Sequence, residues 1–238
     1  MKVKSILNVY WVQIPEEISL SDWIDDFDLL DKEERTIYER YRVDYKKIEF
    51  YTGRLLLKKL LGQRLEIQPE KVAFEKNPFG KLYLHPKHVK ERGIDPLFFN
   101  LSHSKRMVTC VISSIDEAGI DVEGITQNPL DVMKVVFVPR ERMLIEGEIS
   151  HAKKVEAFYR VWTRKEAVMK AVGKGFSLSP LSFAVPVHGE RVMDEHYHYY
   201  TFQPIHGEII SIAVRREDEV EIEFECNEVA FSCLYASG

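Results

Sequence analysis

The amino-acid sequence predicts an α+β fold made of two similar halves. Two long segments with helical periodicity, residues 32–61 and 153–172, are each followed by a turn and by strand-like segments. A short internal similarity supports a duplication: Tyr51-Thr52-Gly53-Arg54 and Trp162-Thr163-Arg164-Lys165 each lead into a helical stretch that ends at a glycine. Helices and strands are mixed in both halves, so the α+β class follows.

The spacing of the repeat indicates where the two halves divide. The two motifs are 111 residues apart, from Tyr51 to Trp162, which is close to half of the 238 residues. We therefore expect an N-terminal α+β half over residues 1–118 and a C-terminal α+β half over residues 119–238.

The N-terminal half is predicted to begin with a strand. Residues 3–14 are rich in Val, Ile, Tyr and Trp, which favours a strand that Pro15 ends. Ser19 or Ser21 can cap a short helix that runs to Leu30. The remaining elements, in order, are a helix over 32–61 that Gly62 ends, short strands at 72–74 and 81–84 around a turn at 77–80, and a strand pair at 97–102 and 107–113.

The C-terminal half is predicted to start with a strand at 119–125, which opens at a glycine. Pro139 suits the first turn of a helix over 139–146. The segment 153–172 is amphipathic, and Gly173 ends it. The rest of the half is predicted to be mostly β, with strands at 181–187, 197–203, 208–214, 220–225 and 229–234.

Composition indicates a globular protein that neither spans a membrane nor is secreted. Hydrophobic residues make up 45% and charged residues 30% of the chain. No apolar stretch approaches the ~18 residues that cross a bilayer, and the N-terminus lacks a secretory pattern. The three cysteines, Cys110, Cys226 and Cys233, form no CxxC pair and no disulfide framework. A reducing, cytoplasmic setting is expected.

The charge distribution argues against a nucleic-acid partner and leaves one basic stretch to explain. The net charge is −5, which repels nucleic acid. Between Lys32 and Lys59 there are nine basic residues against five acidic ones. This stretch either steers an anionic partner or is a solvated helix face.

Several common catalytic motifs are missing from the sequence. There is no P-loop, no GxGxxG after a strand and no GxSxG elbow. His196 and His198 have no acid or cysteine at ligand spacing, so they are expected to be surface histidines rather than zinc ligands.

The first group of candidate functional residues is Asp121 and Glu123. On a strand, residues two apart project to the same face, so these carboxylates would lie side by side. They repel each other unless a cation or a proton lies between them. Oxygen ligands of this kind favour Mg²⁺, while the alternative is an exposed strand end with two solvated acids.

The second group is Glu166 and Lys170. The two residues are four apart on a helix and share a face. They could be an ordinary surface ion pair. However, Glu166 takes the place that Leu55 has in the matching helix, so it can face inward, where it must meet a cation. That cation is either Lys170 or a metal ion shared with the first group.

The third group lies at the end of a predicted strand, in Ser102-His103-Ser104. Hydroxyls, backbone N–H groups and an imidazole at one point suit a phosphate, and Lys81 could add a cation. The arrangement does not suit a catalytic triad, because Ser102 and His103 are adjacent and point apart on a strand. The alternative is a polar strand end without function.

Together these motifs resemble the 4′-phosphopantetheinyl transferase superfamily. The resemblance rests on three segments that occur in order and at suitable spacing. They are Phe99-Asn100-Leu101-Ser102-His103-Ser104, Gly119-Ile120-Asp121-Val122-Glu123, and Trp162-Thr163-Arg164-Lys165-Glu166 continuing through Lys170 to Gly173-Lys174-Gly175. The chain length is similar to that of the surfactin-type members, which are monomers of two similar halves.

The resemblance implies an active site at the interface of the two halves. It also implies coenzyme A as substrate and Mg²⁺ as cofactor, with Mn²⁺ still open. The reaction would move the 4′-phosphopantetheine arm onto a serine of an apo acyl or peptidyl carrier protein and release adenosine 3′,5′-bisphosphate. The enzyme would be cytoplasmic and monomeric, with neither nucleic acid nor membrane as a partner.

Roles for individual residues are also implied by the resemblance. Asp121, Glu123 and Glu166 match the metal-binding acids, and Lys170 matches the lysine near the diphosphate. Contacts to the nucleotide end of coenzyme A are matched by Ser102, His103 and Lys81, and Arg40 and Arg54 are expected to bind phosphates. Glu141 matches an acid that helps activate the nucleophile, so either Glu141 or Glu166 would accept the serine proton. Residues 132–138 resemble the apolar segment that docks the carrier protein.

Two other functions are compatible with the same residues. A Mg²⁺-dependent phosphodiesterase or nucleotide hydrolase would use the same acids and would need no protein acceptor. A non-catalytic module would bind coenzyme A or a carrier protein, and its acids could be neutralised without loss of binding.

Overall fold

The computed structural model describes residues 3–18, 20, 27–90, 97–126, 129–217 and 219–235. Its N-terminal half combines a long strand, two successive helices and two pairs of strands. The elements are β1 (Val3–Gln13), α1 (Lys32–Arg40), α2 (Asp44–Leu65), β2 (Phe74–Lys76), β3 (Leu82–Leu84), α3 (Pro86–Lys90), β4 (Phe98–His103) and β5 (Met107–Ser113).

The C-terminal half has one long helix on a second sheet. Its elements are β6 (Ala118–Gly124), α4 (Met133–Val136), α5 (Pro139–Glu146), α6 (His151–Val172), β7 (Arg191–Met193), β8 (Tyr197–Phe202), β9 (Glu208–Arg215), β10 (Val220–Glu228) and α7 (Phe231–Tyr235). None of the helices in the described ranges is long and apolar enough to cross a bilayer.

The strands form two four-stranded sheets and a small hairpin. The first sheet has the order β10-β1-β5-β4, the second has the order β6-β9-β8-β7, and β2 pairs with β3. All pairs are antiparallel except β1 with β10, which run parallel with Val9 opposite Cys226. The chain therefore returns from the C-terminal half to complete the N-terminal sheet. The division at residues 118/119 stays a prediction. Strand β10 follows that division in sequence but belongs to the sheet of the N-terminal half.

The two sheets meet where β4 lies beside β6. The amide oxygen of Asn100 accepts a hydrogen bond from the backbone N–H of Ile120, and Ser102 Oγ accepts one from Val122. Gly119 lets helix α6 approach β6 closely, since a Cβ there would lie 2.0 Å from the carbonyl oxygen of Ala167. These contacts bring β4, β6 and α6 to one place.

Three clusters of buried apolar side chains hold the fold together. One packs α2 on the first sheet, one packs α6 on the second, and the third fills the space between the sheets. The third cluster draws on both halves, with Leu7 and Val111 from the first sheet and Ile120 and Ile212 from the second. Burial of this shared apolar surface stabilises the contact between the halves.

The internal similarity in the sequence corresponds to matched structural roles. Thr52 and Thr163 each donate a hydrogen bond to the carbonyl four residues earlier in their long helix. Arg54 lies 2.9 Å from a carboxylate oxygen of Glu34, a residue in the first turn of α1. The matching Lys165 lies 3.0 Å from Glu141, which is in the first turn of α5. The predicted arrangement of two similar α+β halves is confirmed.

The predicted helix over 32–61 is wrong in two respects. It is two helices, because Tyr41 and Val43 have extended backbone between α1 and α2. The second helix also continues past Gly62 to Leu65 and ends at Glu66, which has a left-handed φ of 51°. Gly62 serves close packing instead, since a Cβ there would lie 2.8 Å from the carbonyl oxygen of Ile67.

Two of the five predicted C-terminal strands are also wrong. Residues 181–187 form no strand; a 3-10 turn at Pro180–Ser182 precedes irregular backbone, where carbonyls such as that of Pro186 accept hydrogen bonds from buried Arg164. The segment 229–234 contains helix α7. The helix predicted from Ser19 or Ser21 lies largely outside the described residues, which show a 3-10 turn at Phe27–Leu29.

Candidate active site

Asp121, Ser102 and Lys170 form a hydrogen-bonded group where the two sheets meet. Asp121 Oδ1 accepts a hydrogen bond of 2.9 Å from Ser102 Oγ and lies 2.7 Å from the ammonium nitrogen of Lys170. Lys170 also donates to Ser102 Oγ at 2.7 Å. Each residue comes from a different element, β6, β4 and α6 respectively. The group exists because Gly119 allows α6 to lie directly on β6.

Glu123 and Glu166 complete a set of three carboxylates. Trp162 donates an indole hydrogen bond of 3.2 Å to Glu123, and burial and the charge of Asp121 raise the pKa of Glu123. Burial, followed by repulsion from Asp121, raises the pKa of Glu166 to about 7, although Lys170 opposes the shift. The three acids are therefore close enough to penalise each other's negative charge.

The residues fit a hard divalent cation on two grounds. Asp121 Oδ2 is buried without a hydrogen-bond partner, and a metal ion is one group that would satisfy it. A cation would also relieve the repulsion that raises the pKa of Glu166. Within the described part of the chain, no three acidic, histidine or cysteine side chains form a ready-made metal site. The ammonium of Lys170 takes the position beside Asp121 Oδ1 instead.

A cleft of about 430 Å³ runs alongside this group. It lies between helices α1 and α2, the turn before β3, strand β4 and the end of α6. Lys170 belongs both to the carboxylate group and to the wall of the cleft. The lining residues are Ile37, Tyr41, Glu49, Phe50, Arg54, Phe79, Gly80, Lys81, Leu82, Phe99, Asn100, Leu101, His103, Met169, Lys170, Gly173 and Gly175.

Three more cationic or basic side chains line the cleft besides Lys170. Arg54 pairs with Glu34 and stacks 4.8 Å from the ring centre of Phe50. Lys81 donates to the carbonyl of Ala171 at 2.8 Å, and burial lowers its pKa although Asp116 opposes the shift. His103 Nδ1 lies 3.2 Å from a carboxylate oxygen of Glu49. Such a lining suits an elongated anionic ligand.

Most of the residues predicted to form the site lie together. Asp121, Glu123, Glu166 and Lys170 form one group, Ser102 joins it, and Arg54, Lys81 and His103 line the neighbouring cleft. Arg40 does not join them: it is exposed at the end of α1 and is not part of the cleft wall.

Glu141 lies in a different environment from the one its predicted role requires. Its carboxylate accepts hydrogen bonds from the backbone N–H groups of Val138 and Val185 and pairs with Lys165. The side chain is buried and does not line the cleft. Both carboxylate oxygens are thus occupied by structural partners. This geometry does not favour Glu141 as the group that accepts a proton from a substrate.

Two residues of the site were missed by sequence reasoning. Glu49 is a buried acid in the cleft wall, but in sequence it is one of many charges in the basic stretch. Asn77 binds the carbonyl of Gly173 through its amide nitrogen and the N–H groups of Phe79 and Lys81 through its amide oxygen. The turn composition around Asn77 was visible in the sequence, whereas its contact with α6 was not.

Comparisons with known proteins agree with this site. The family model of the 4′-phosphopantetheinyl transferase superfamily matches residues 117–224, and the model described as 4′-phosphopantetheinyl transferase, N-terminal, matches residues 17–115. Together the two matches cover both halves of the chain.

Individual relatives of the chain also carry names of phosphopantetheinyl transferases. A putative 4′-phosphopantetheinyl transferase of Synechocystis is 33% identical over 182 residues, covering 76% of this chain and 68% of the relative. A 4′-phosphopantetheinyl transferase of Aneurinibacillus migulanus is 29% identical over 178 residues, covering 75% and 70%. The L-aminoadipate-semialdehyde dehydrogenase-phosphopantetheinyl transferase of Schizosaccharomyces pombe is 31% identical over 180 residues, covering 69% and 67%.

The fold and the site define a two-half α+β protein with an acidic group beside a cleft that is lined by basic side chains. The chain belongs to the 4′-phosphopantetheinyl transferase superfamily. The resemblance seen in the sequence is confirmed, and the enzyme class is that of a phosphopantetheinyl transferase. The alternative of a nucleotide hydrolase gains no support from the relatives.

Proposed function

We propose that this enzyme transfers the 4′-phosphopantetheine arm of coenzyme A to a serine of an acyl or peptidyl carrier protein, with Mg²⁺ as cofactor. One observation carries the proposal. Carboxylates and an ammonium on β6 and α6 of the C-terminal half meet beside a cleft of about 430 Å³, whose wall is supplied by both halves and carries Arg54, Lys81, His103 and Lys170.

Coenzyme A would lie along the cleft. Its diphosphate would lie near Lys170, which is the only cation that belongs both to the described cleft wall and to the carboxylate group. The nucleotide end would extend toward His103, Lys81 and Arg54. Apolar side chains such as Phe50 and Phe99 would contact the non-polar faces of the ligand.

The reaction forms one bond to phosphorus and breaks another. The serine oxygen of the carrier attacks the phosphorus atom attached to the pantetheine arm, and the diphosphate bond breaks to release adenosine 3′,5′-bisphosphate. Lys170 offsets negative charge on the departing phosphate. Glu166 accepts the serine proton directly or through a water molecule.

Asp121, Glu123 and Glu166 would hold the Mg²⁺ ion. When bound, the ion supplies charge stabilisation for the diphosphate oxygens, which ordinary side chains provide less strongly. The unpartnered Oδ2 of Asp121 supports this assignment. Mn²⁺, which also prefers oxygen ligands, would be accepted in its place.

The carrier protein would dock on the segment around α4. Val132 and Val135 are exposed there, while Phe137 is buried and anchors the segment to the core. Exposed Lys134 lies between the two valines in sequence and would attract an acidic carrier. We further propose a cytoplasmic monomer without nucleic-acid or membrane partners, since the two halves supply both sides of the site and the net charge is −5.

The test is intact-mass spectrometry of apo carrier proteins incubated with the enzyme, coenzyme A and Mg²⁺. We expect the carrier to gain the mass of one phosphopantetheine group, with equimolar release of adenosine 3′,5′-bisphosphate. Release of the nucleotide without any carrier would indicate a hydrolase. Absence of both products, with coenzyme A still bound, would indicate a non-catalytic binding module.

A further inference from the structure

Trp162 contacts the acidic group from helix α6 without being one of its charged members. Its indole Nε1 donates a hydrogen bond of 3.2 Å to Glu123 Oε1. Glu123 lies on β6, two residues after Asp121, so this bond joins the helix to the strand that supplies two of the three acids. The indole is half-buried and packs against the apolar cluster beneath α6. Packing and a hydrogen bond together hold its ring in place.

The spacing of residues along α6 shows how Trp162 belongs to the site. Residues 162, 166 and 170 are four apart, so they share one face of the helix. Trp162 meets Glu123 at one end of this face, and Lys170 meets Asp121 at the other end. Glu166 lies between them, one helical turn from each. The helix residues that contact the acids therefore form one stripe, with Trp162 at its N-terminal end.

The indole is a neutral donor, which gives it a different effect from that of Lys170. An indole N–H donates a single hydrogen bond, accepts none and carries no charge. It can fix one oxygen of Glu123, but it neither neutralises the carboxylate nor competes with a cation for its charge. The ammonium of Lys170, in contrast, pairs with Asp121 as an opposite charge. Trp162 therefore orients Glu123 and leaves its negative charge available.

The two halves of the chain differ at the same two helix positions. In α2 the counterparts of Trp162 and Glu166 are Tyr51 and Leu55, which are both buried in the apolar cluster of the N-terminal half. The half that has no acid at the second position thus has no indole at the first. Trp162 is also not among the described residues that line the cleft. Both observations connect Trp162 to the acids rather than to the substrate.

We propose that Trp162 is a positioning residue, whose indole N–H orients the carboxylate of Glu123 for binding of the divalent ion. The inference rests on the proposed function, because it requires Glu123 to be one of the acids that bind Mg²⁺. Residues that hold a metal ligand through a hydrogen bond typically contribute about 10–100-fold to metal affinity. A single bond from a neutral, half-buried donor belongs at the lower end of that range, so we expect an effect of about tenfold.

Calorimetric titration of Mg²⁺ into the protein saturated with coenzyme A tests the inference. Trp162→Phe keeps an aromatic ring for packing and removes the N–H group. The dissociation constant for Mg²⁺ should rise about tenfold in this variant, while that for coenzyme A, measured without metal, should stay unchanged. Trp11→Phe is the matched control, because the indole nitrogen of Trp11 has no hydrogen-bond partner among the described residues. It should change neither constant.

Two further measurements separate positioning from a merely structural role. The chain has three tryptophans, and each gives one indole N–H signal in the nuclear magnetic resonance spectrum of ¹⁵N-labelled protein. The signal that disappears in Trp162→Phe should shift in Glu123→Gln, whereas the Trp11 signal should not. In the transfer assay, Trp162→Phe should need about tenfold more Mg²⁺ for half-maximal rate. Its KM for coenzyme A and its rate at saturating Mg²⁺ should stay near the wild-type values.

Three outcomes would overturn the inference. They are wild-type Mg²⁺ affinity in Trp162→Phe, a Trp162 signal that does not respond to Glu123→Gln, and a raised KM for coenzyme A with an unchanged Mg²⁺ requirement. Should Trp162→Phe not fold, its signal is identified by elimination with Trp11→Phe and Trp23→Phe, and the response to Glu123→Gln decides. Failure of the proposed function is distinct, because the wild-type enzyme itself would then neither bind Mg²⁺ nor modify the carrier.

Discussion

Neutralising Glu166 should stabilise the protein while removing a residue proposed for catalysis. The pKa of Glu166 is raised from 4.5 to about 7, chiefly by burial and then by repulsion from Asp121. Between these pH values the folded protein holds a proton that the unfolded chain has released, so stability falls as pH rises. A shift of this size corresponds to about 3 kcal/mol, and partial solvent exposure reduces the expected effect to about 1–2 kcal/mol.

The assay is urea unfolding of wild type and Glu166→Gln at pH 5 and pH 8 without metal. We expect the variant to be about 1–2 kcal/mol more stable at pH 8 and nearly equal to wild type at pH 5, where the wild-type carboxyl is protonated. Added Mg²⁺ should stabilise wild type more than the variant, because a bound ion stabilises only the state that binds it.

A matched control on the same helix should change stability in the opposite direction. A hydrogen bond from Lys153 and the charge of Arg160 lower the pKa of Glu156 despite partial burial. Glu156→Gln should therefore cost a few tenths of a kcal/mol at pH 8, as expected for an exposed pair. A Glu166→Gln variant that is less stable than wild type at pH 8, or that differs from wild type equally at both pH values, would contradict the raised pKa of Glu166.

Lys170→Met should lower the transfer rate about 100-fold, measured in steady state with saturating carrier, and a loss below threefold would contradict its role. Glu141→Gln should cost about 3 kcal/mol in urea unfolding, because buried Lys165 loses its carboxylate; a cost below about 1 kcal/mol would contradict the pairing. Asn77→Asp removes the donor to the Gly173 carbonyl but keeps its acceptor, so KM for coenzyme A should rise severalfold, whereas an unchanged KM would separate Asn77 from substrate binding.

The acidic group could be predicted from the sequence because each member has a strong local pattern. Asp121 and Glu123 are two residues apart on strand β6, and Glu166 and Lys170 share one face of the capped helix α6. The resemblance to a known family then indicated that these segments form one site. Local pattern alone would not have shown that β6 and α6 pack directly on each other at Gly119.

The burial of Glu49 in the cleft wall could not be predicted, because its contacts join two segments that are distant in sequence. Its partner His103 lies 54 residues later in the chain, and the contact exists only once β4 has paired with β5. In sequence, Glu49 is an acid surrounded by bases on a helix, which normally indicates a solvated face. Helix α2 is instead buried on several sides, so Glu49 lies in the protein interior and not on a solvated face.

The errors in the secondary structure also have physical causes. No glycine or proline lies near Tyr41, so the break between α1 and α2 has no local signal in the sequence. The position of α1 is instead determined by its N-terminal cap and by the ion pair of its buried Glu34 with Arg54. The parallel pairing of β10 with β1 joins the two ends of the chain, and a local pattern carries no information about such a pairing.

In the proposed function, Asp121, Glu123 and Glu166 would hold one divalent ion when coenzyme A is bound. The most direct measurement is calorimetric titration of Mg²⁺ into the protein saturated with coenzyme A, with coenzyme A alone as the reference. We expect one ion per chain in wild type and loss of that binding in Asp121→Asn and Glu166→Gln, both shown to be folded by circular dichroism. Undiminished Mg²⁺ affinity in both variants would contradict the claim.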